Sequence, residues 1–112
     1  MISSDIIRGH LDLIILKLII EKDRYGYEIS KEISKRTDNA FEIKEATLYA
    51  VFQRLVKKEC IVSYSGQITH GRERKYYKAT AVGKDYFKDK VDEWQEVKQI
   101  IDIFAEEKND DH

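Results

Sequence analysis

The chain has 112 residues, 42% of them hydrophobic and 37% charged, and its formal net charge is −1. This length suits a single folded unit, and the hydrophobic fraction is sufficient for a globular core. A net charge near zero excludes a general attraction to nucleic acid, so binding of that kind would depend on where the charges lie.

Cysteine content and hydropathy narrow the class further. The one cysteine, Cys60, excludes an intrachain disulfide and a cysteine-rich zinc site, and its apolar neighbours indicate a buried structural thiol rather than a redox sensor. The longest apolar run, residues 13–20, is interrupted by Lys17 and is shorter than the ~20 residues that a membrane span needs. The N-terminus lacks the pattern of a signal peptide, so we expect a cytoplasmic protein that does not bind membranes.

The charges are distributed unevenly along the chain. Residues 1–40 hold seven basic and seven acidic side chains, residues 41–78 hold eight and four, and residues 79–112 hold five and ten. A basic middle segment followed by an acidic end fits a phosphate-facing region joined to a segment that is turned away from DNA. The alternative is a chance distribution over a solvated surface.

The first half of the chain reads as two helices and a short strand. Apolar residues at positions 11, 14, 15 and 18 have helical spacing and predict a first helix over residues 5–22. Gly26 permits a tight start to a second helix over residues 26–36. After a break at residues 37–39, the alternation around Phe41 and Ile43 predicts a very short strand.

The second half reads as a helix, a hairpin and a long helix. Leu48, Val51, Phe52 and Leu55 form one apolar stripe and predict a third helix over residues 45–58. After it, β-prone segments at 61–64 and 74–78 predict a hairpin, with a mobile loop from Gly66 to Gly71.

The last predicted helix runs from an N-cap at Thr80 to about Lys108, and residues 106–112 are expected to fray. Its apolar residues keep spacings of three and four, as in a coiled-coil seam, and this predicts a dimer interface. The residues of this seam are Phe87, Val91, Trp94, Val97, Ile101 and Phe104.

The order of the predicted elements is that of a winged helix-turn-helix protein. We therefore expect an α+β fold, mostly helical, with a long C-terminal dimerisation helix. Residues 1–79 would form the DNA-binding domain, and residues 80–112 would form the dimerisation helix with its frayed tail.

The third helix has features of a helix that reads the major groove. With its stripe facing the core, the opposite face carries Ala46, Ala50 and Gln53. Two alanines allow close approach to base edges, and a glutamine can pair with adenine. Tyrosines at the start of the second helix and basic residues in the hairpin are placed to contact phosphates. The expected DNA-contacting residues are Tyr25, Tyr27, Lys44, Ala46, Thr47, Tyr49, Ala50, Gln53, Arg54, Lys57, Arg72, Arg74 and Lys75.

Three motifs in order resemble the PadR-type transcriptional regulators. They are the segments at 25–29 (YGYEI), at 46–49 (ATLY) followed by Arg54-Leu55, and at 74–77 (RKYY) followed by Thr80 and Gly83. The likeness runs from about Arg8 to Ile103. It implies a winged-helix repressor that binds double-stranded DNA as a homodimer through its C-terminal helix, in the short subfamily with a single C-terminal helix.

Among the short members, the chain is most similar to the multidrug-sensing repressors. In those, a tryptophan at the position of Trp94 lines a pore at the dimer axis, where planar aromatic compounds stack. The resemblance thus implies a small aromatic effector, with Leu13, Trp94, Val97 and Ile101 as candidate ligand-binding residues. Trp94 as plain dimer packing is the alternative. Lys98 leaves neutral and anionic ligands as open as cationic ones.

Other function classes have less support. The histidines at 10, 70 and 112 are scattered, and no catalytic arrangement accompanies them, so we expect neither an enzyme nor a metal or cofactor site. A winged-helix protein-interaction module without specific DNA binding is the alternative function. Asp12 is unusual on the apolar first helix; it would cap a groove or pair with a basic residue at the dimer interface.

Overall fold

The computed structural model describes residues 4–69 and 71–106. Five helices and three strands follow one another in this part of the chain: α1 (Ser4–Arg8), α2 (Leu11–Glu21), β1 (Arg24–Tyr25), α3 (Gly26–Arg36), α4 (Glu45–Lys57), β2 (Ile61–Thr69), β3 (Arg72–Ala79) and α5 (Ala81–Ala105). The strands form one antiparallel sheet in the order β1-β3-β2. This is the mostly helical winged-helix architecture that the sequence predicts.

Three predicted elements are confirmed, two of them to within one residue at both ends and the third at its start, while its helix ends at Ala105 and not near Lys108. The second and third predicted helices are α3 and α4, and the long helix α5 begins after Thr80. Thr80 is its N-cap, since its hydroxyl oxygen accepts a hydrogen bond from the Gly83 amide at 3.0 Å. Apolar periodicity sustained over several turns therefore located these elements well.

The prediction of one first helix over residues 5–22 is wrong, because α1 and α2 are separate. The backbone at His10 departs from helical geometry, with φ −115° and ψ 5°. Its amide donates to the Ile7 carbonyl at 2.9 Å, which closes a tight turn. Gly9 in this turn lowers the local helix propensity.

The short strand was predicted in the wrong place. Residues 41–44 form no strand, whereas Arg24 and Tyr25 pair with β3 opposite Tyr77 and Tyr76. A strand needs a neighbouring edge, and β3 offers its edge to β1. Phe41 instead bonds locally, with its amide donating to the Thr37 hydroxyl at 3.2 Å.

The wing loop is also shorter than predicted, because β2 continues to Thr69 and β3 resumes at Arg72. A bulge between Ser65 and Ile68 absorbs the glycine that suggested a loop. A Cβ on Gly66 would lie 2.0 Å from the Tyr76 ring, so the missing side chain makes room for that tyrosine. His70 of the predicted loop and residues 107–112 of the end that was predicted to fray (106–112) lie outside the described residues.

The core lies between α2, α3, α4 and the base of the hairpin. Phe52 of α4 stacks on Tyr77 of β3 with ring centroids 4.0 Å apart. Cys60 is 1% exposed, which confirms a buried thiol. Helix α5 leaves this core: Phe87 is partly buried against it, whereas Phe104 is 84% exposed. None of the helices in the described residues is long and apolar enough to cross a membrane.

Candidate nucleic-acid interface

Helices α3 and α4 form the helix-turn-helix, joined by residues 37–44. Asp38 and Asn39 take the left-handed conformation in this connection, with φ of 51° and 64°, which asparagine and aspartate tolerate best among residues with a Cβ. Four apolar residues anchor the inner face of α4 in the core: Leu48, Val51, Phe52 and Leu55. The outward face of α4 is therefore fixed by burial of the inner one.

Four of the expected DNA-contacting residues share that outward face. Ala46, Ala50, Gln53 and Lys57 are all exposed. The first two leave the helix surface flat, while Gln53 and Lys57 supply an amide and an ammonium group. We call these four residues the reading face.

The wing and α3 form a groove beside α4 with a volume of about 740 Å³. Tyr25 and Tyr27 line one wall, Tyr49 lines the floor with Leu48, and β3 contributes the basic wall. The basic residues of that wall are Arg72, Arg74 and Lys75. The structure thus brings together three groups of residues that the sequence analysis proposed separately.

Close packing positions Tyr49 in this groove. A Cβ on Gly26 would lie 2.8 Å from the Tyr49 hydroxyl, so only glycine at that position lets Tyr49 approach α3 so closely. The Tyr49 ring is held edge-on by Phe52, with centroids 5.4 Å apart. It remains 44% exposed, which leaves its ring available to a ligand.

Aromatic rings form a continuous cluster along the wing side of the groove. Tyr25 stacks on Tyr27 with centroids 6.4 Å apart and meets Tyr76 edge-on at 5.3 Å. The Arg74 guanidinium lies 5.0 Å from the Tyr25 ring centre, a cation–π contact. The Arg74 Nε is buried and has no hydrogen-bond partner within residues 4–69 and 71–106. Its positive charge is thus held mainly by an aromatic face.

Two members of this cluster were missed by the sequence analysis. Tyr64 stacks on Tyr76 at 5.8 Å, and its hydroxyl donates to Asp23 at 2.5 Å. This hydrogen bond raises the pKa of Tyr64 above its ordinary value. The tyrosines sit opposite one another on β2 and β3, so strand register was the signal that could have found them.

Other predicted DNA-contacting residues lie away from the groove. Lys44 is exposed, and half-buried Thr47 lines a second, smaller cavity of about 170 Å³ next to α1. Arg54 lies at the edge of the reading face and is exposed, but its guanidinium is engaged: its Nη2 and Nε donate to the carboxylate of Asp12 on α2. The expected partner of Asp12 therefore exists, but it comes from α4 of the same chain.

The environment of Asp12 keeps its carboxylate charged. Burial by itself raises the pKa of Asp12, but hydrogen bonds from Arg54 and from the Tyr86 hydroxyl outweigh it and hold that pKa below its ordinary value. Asp12 is 8% exposed. A buried charge is tolerated here because both of its oxygens are hydrogen-bonded.

The seam residues of α5 become more exposed toward its C-terminal end. Phe87 and Val91 are partly buried, Trp94 is 37% exposed, and Ile101 is 54% exposed. The His10 ring meets Trp94 edge-on at 5.0 Å. Leu13 on α2 is half-buried, and Val97 is 39% exposed. The sequence analysis missed two more exposed apolar side chains of this helix, Ile100 and Ile103.

Comparison with known proteins identifies the family. Residues 15–89 match the transcriptional regulator PadR-like family. A protein of Lysinibacillus sphaericus is 67% identical over 106 residues, which is 95% of this chain and 97% of that protein. A transcriptional regulator from Clostridium thermocellum is similar in structure, with a TM-score of 0.88, 50% identity, and coverage of 95% of this chain and 100% of that one. A PadR family transcription regulator from Clostridium difficile R20291 has a TM-score of 0.75 and 36% identity, covering 88% of this chain and 100% of that one. The chain belongs to the PadR-like family of transcriptional regulators.

Proposed function

We propose that this protein is a sequence-specific, DNA-binding transcriptional repressor that acts as a homodimer. The observation that carries the proposal is the exposed reading face of α4 beside a groove in which Tyr49 of the same helix meets the basic wall of β3. The reading face offers a flat helix surface to base edges, and the basic wall offers cations to the phosphate backbone. This division is the one on which sequence-specific DNA-binding proteins depend.

Each group of residues has a role in this proposal. The alanines at 46 and 50 let α4 approach the floor of the major groove, where the Gln53 amide pairs with an adenine edge. Lys57 contacts a flanking phosphate. The wing residues Arg72 and Lys75 follow the backbone or the minor groove, and Tyr27, 60% exposed at the start of α3, donates its hydroxyl to a phosphate.

Substitutions on two surfaces test this assignment. With a duplex carrying the promoter of its own gene, Gln53→Ala lowers the preference over a scrambled duplex. Lys75→Ala weakens binding to both duplexes and reduces the slope of log K against log salt by about one. Lys88→Ala, the same charge change at an exposed site on α5, is the matched control and leaves both quantities unchanged.

Binding of the wild-type protein to the two duplexes distinguishes a sequence-specific regulator from a protein-interaction module. A preference for the promoter duplex supports the regulator. Equal affinity for promoter and scrambled duplexes contradicts it and leaves the winged-helix protein-interaction module as the better description. Anisotropy titrations at several salt concentrations provide both measurements.

The proposed dimer rests on the unpartnered apolar side of α5. Four seam residues of one 25-residue helix are at least one-third exposed: Trp94, Val97, Ile101 and Phe104. A contiguous apolar stripe of this kind indicates an interaction site, and its spacing of three and four suits a second copy of the same helix. We therefore propose residues 80–112 as the dimerisation segment and residues 1–79 as the DNA-binding unit.

Sedimentation of two variants tests the dimer. Ile101→Glu places a charge in the seam and is expected to produce monomers. Ile103→Glu introduces the same charge on the same helix, about 160° away round its axis, and is expected to remain dimeric. Wild-type protein that sediments as a monomer at micromolar concentration would contradict the proposal.

The most specific part of the proposal is that a planar aromatic effector releases the protein from DNA. Its support is a Trp94 ring that lies on the seam, is 37% exposed, and is held at its edge by His10. Leu13, Val97 and Ile101 would complete the site. Because the chain has a single tryptophan, fluorescence reports on this site directly.

Three probes test the effector: a cationic acridine, a neutral naphthalene and an anionic naphthalene sulfonate. Quenching of Trp94 by a probe that also releases the promoter duplex supports an effector site. No quenching by any of the three leaves dimer packing as the role of Trp94.

A further inference from the structure

A polar cluster joins three helices at one buried carboxylate. Asp12 and Arg24 are the buried charged residues of the described chain. Arg24 is explained locally, since it bonds to the Leu18 carbonyl and to Glu21 where α2 ends. Asp12, in contrast, bonds to two other helices, α4 and α5. We call Asp12, Arg54, Lys58 and Tyr86 the junction cluster.

The contacts of the cluster run from α4 through α2 to α5. Arg54 of α4 donates to both oxygens of Asp12, through Nη2 to Oδ1 and through Nε to Oδ2 at 3.5 Å. The Tyr86 hydroxyl of α5 donates to Asp12 Oδ2 at 2.8 Å. Asp12 is therefore a shared acceptor for the reading helix and the C-terminal helix.

Lys58, the C-cap residue that directly follows α4, adds a direct link to α5. Its ammonium donates to the Tyr86 hydroxyl at 3.0 Å and lies 4.9 Å from the ring centre. A carboxylate only accepts and an ammonium only donates, so the direction of the Tyr86 hydroxyl is fixed by its two partners. Arg54 and Lys58 are four residues apart and so project from the same side of α4.

The first turn of α5 is anchored at a separate point, to the residues that connect α4 with β2. The Thr80 hydroxyl donates to the Glu59 carbonyl at 2.6 Å. Gly83 lies against the Cys60 backbone, where an added Cβ would be 2.1 Å from the carbonyl oxygen. One anchor lets a helix pivot, whereas further contacts along its axis fix its direction. Tyr86, about 9 Å beyond Thr80 along that axis, provides the polar one, next to Phe87, which packs against the core.

We propose that Asp12 and Tyr86 are positioning residues that couple the orientation of α5 to that of the reading helix α4. The inference rests on the proposed function for its consequence, since α4 is the helix that would read DNA. A change in the geometry of the C-terminal helices moves Tyr86, and the junction cluster passes that movement to Arg54 and Lys58. Coupling is reciprocal, so DNA bound at α4 also shifts the equilibrium of α5.

A purely structural ion pair is the competing explanation. A buried ion pair is weak evidence for stability, so a stability measurement alone cannot separate the two. Trp94 lies two turns beyond Tyr86 on α5, and its emission reports on the environment of that helix. A structural pair predicts no effect of Tyr86 on the response of Trp94 to DNA.

The test compares Tyr86→Phe with a control on another helix, Glu32→Gln. The first removes the hydroxyl that donates to Asp12, and the second removes the charge that pairs with Arg36 within α3, away from α5. The duplex is the tightest binder selected from random duplexes by the wild-type protein, and a scrambled duplex is the reference. Sedimentation and circular dichroism confirm that both variants keep the wild-type assembly and helix content. Asp12→Asn replaces Tyr86→Phe if the latter does not fold.

We expect Tyr86→Phe to lose about fivefold to tenfold of the discrimination between the two duplexes, and to lose most of the Trp94 emission change on DNA binding. Glu32→Gln keeps both. A Tyr86→Phe protein with wild-type discrimination and a wild-type Trp94 response overturns the proposal.

Hydrogen exchange separates this failure from failure of the proposed function. If the wild-type protein selects no preferred duplex, the proposed function fails. Amide exchange of the two variants without DNA then tests the coupling between α5 and α4. Faster amide exchange in residues 45–57 of Tyr86→Phe than of Glu32→Gln supports it. Equal exchange in the two variants overturns it.

Discussion

Gly83→Ala places a methyl group where the backbone leaves no room. Gly83 lies in the first turn of α5, and an added Cβ would be 2.1 Å from the Cys60 carbonyl oxygen and 2.9 Å from its carbonyl carbon. Both atoms belong to the backbone, so no side-chain rotation can relieve the contact. The alanine therefore forces α5 away from the end of α4.

The expected cost follows from three opposing terms. Alanine improves helix propensity by about 1 kcal/mol, whereas an overpacked methyl costs about 1–3 kcal/mol. Movement of α5 also weakens the hydrogen bond from Thr80 to the Glu59 carbonyl, a loss of about 1 kcal/mol. We expect a net destabilisation of about 2 kcal/mol, which lowers Tm by roughly 10 °C in a domain of this size.

Gly9→Ala is the control, because nothing lies within 4 Å of a Cβ at that position. It is expected to leave the free energy of unfolding unchanged or to raise it by up to about 1 kcal/mol. Thermal and urea unfolding of both variants, followed by circular dichroism at one protein concentration, measures the difference. A Gly83→Ala protein as stable as the wild type would refute the argument that this contact fixes α5 against α4.

Three further predictions concern buried polar groups. The pKa of Asp12 is held below its ordinary value, so its contribution to stability is complete at neutral pH and is lost as the pH falls below about 4. Between pH 7 and pH 3, urea unfolding should show a smaller loss of unfolding free energy for Asp12→Asn than for the wild type, and equal losses would contradict the assignment. Burial raises the pKa of the Cys60 thiol, so alkylation by iodoacetamide should be slow in the folded protein and fast in urea; rapid labelling of the native protein would count against this burial. Arg24→Lys cannot reproduce the hydrogen bonds that a guanidinium donates to both Leu18 and Glu21. Urea unfolding should therefore show a loss of about 1–3 kcal/mol in unfolding free energy, and an unchanged midpoint would contradict this role of Arg24.

Most of the fold was predictable because burial imposes long apolar periods. Helix α4 has four inward residues at regular spacing, and α5 keeps its seam over six, so both follow from the sequence. The break between α1 and α2 was not predicted, because apolar residues continue across the helix start and only the backbone at Gly9 and His10 ends the pattern. The short strand depended on an available sheet edge, which local alternation cannot reveal.

The candidate site also has features that the sequence predicted and features that it did not. Exposure of Gln53 and Lys57 followed from the helical period, because their position is opposite the buried stripe. The pairing of Arg54 with Asp12 did not follow from the helical period, since this acceptor is 42 residues away in sequence on α2. Tyr64 and Tyr76 face each other through the hairpin register, and the bulge that sets this register was not evident before the strands were paired.

The internal use of Arg54 changes how DNA affinity should be distributed. With its charge paired to Asp12, the outward side of α4 retains Lys57 as its exposed cation and carries exposed Glu45 at its first turn. The electrostatic attraction between this helix and phosphates is then small, and the basic wall of β3 must supply most of the affinity that depends on salt. The wing should therefore set the salt slope, whereas α4, almost neutral and flat, should set the sequence preference. Lys75→Ala and Gln53→Ala are expected to separate these two quantities, because Lys75 lines the groove on β3 and Gln53 is exposed on the outward face of α4.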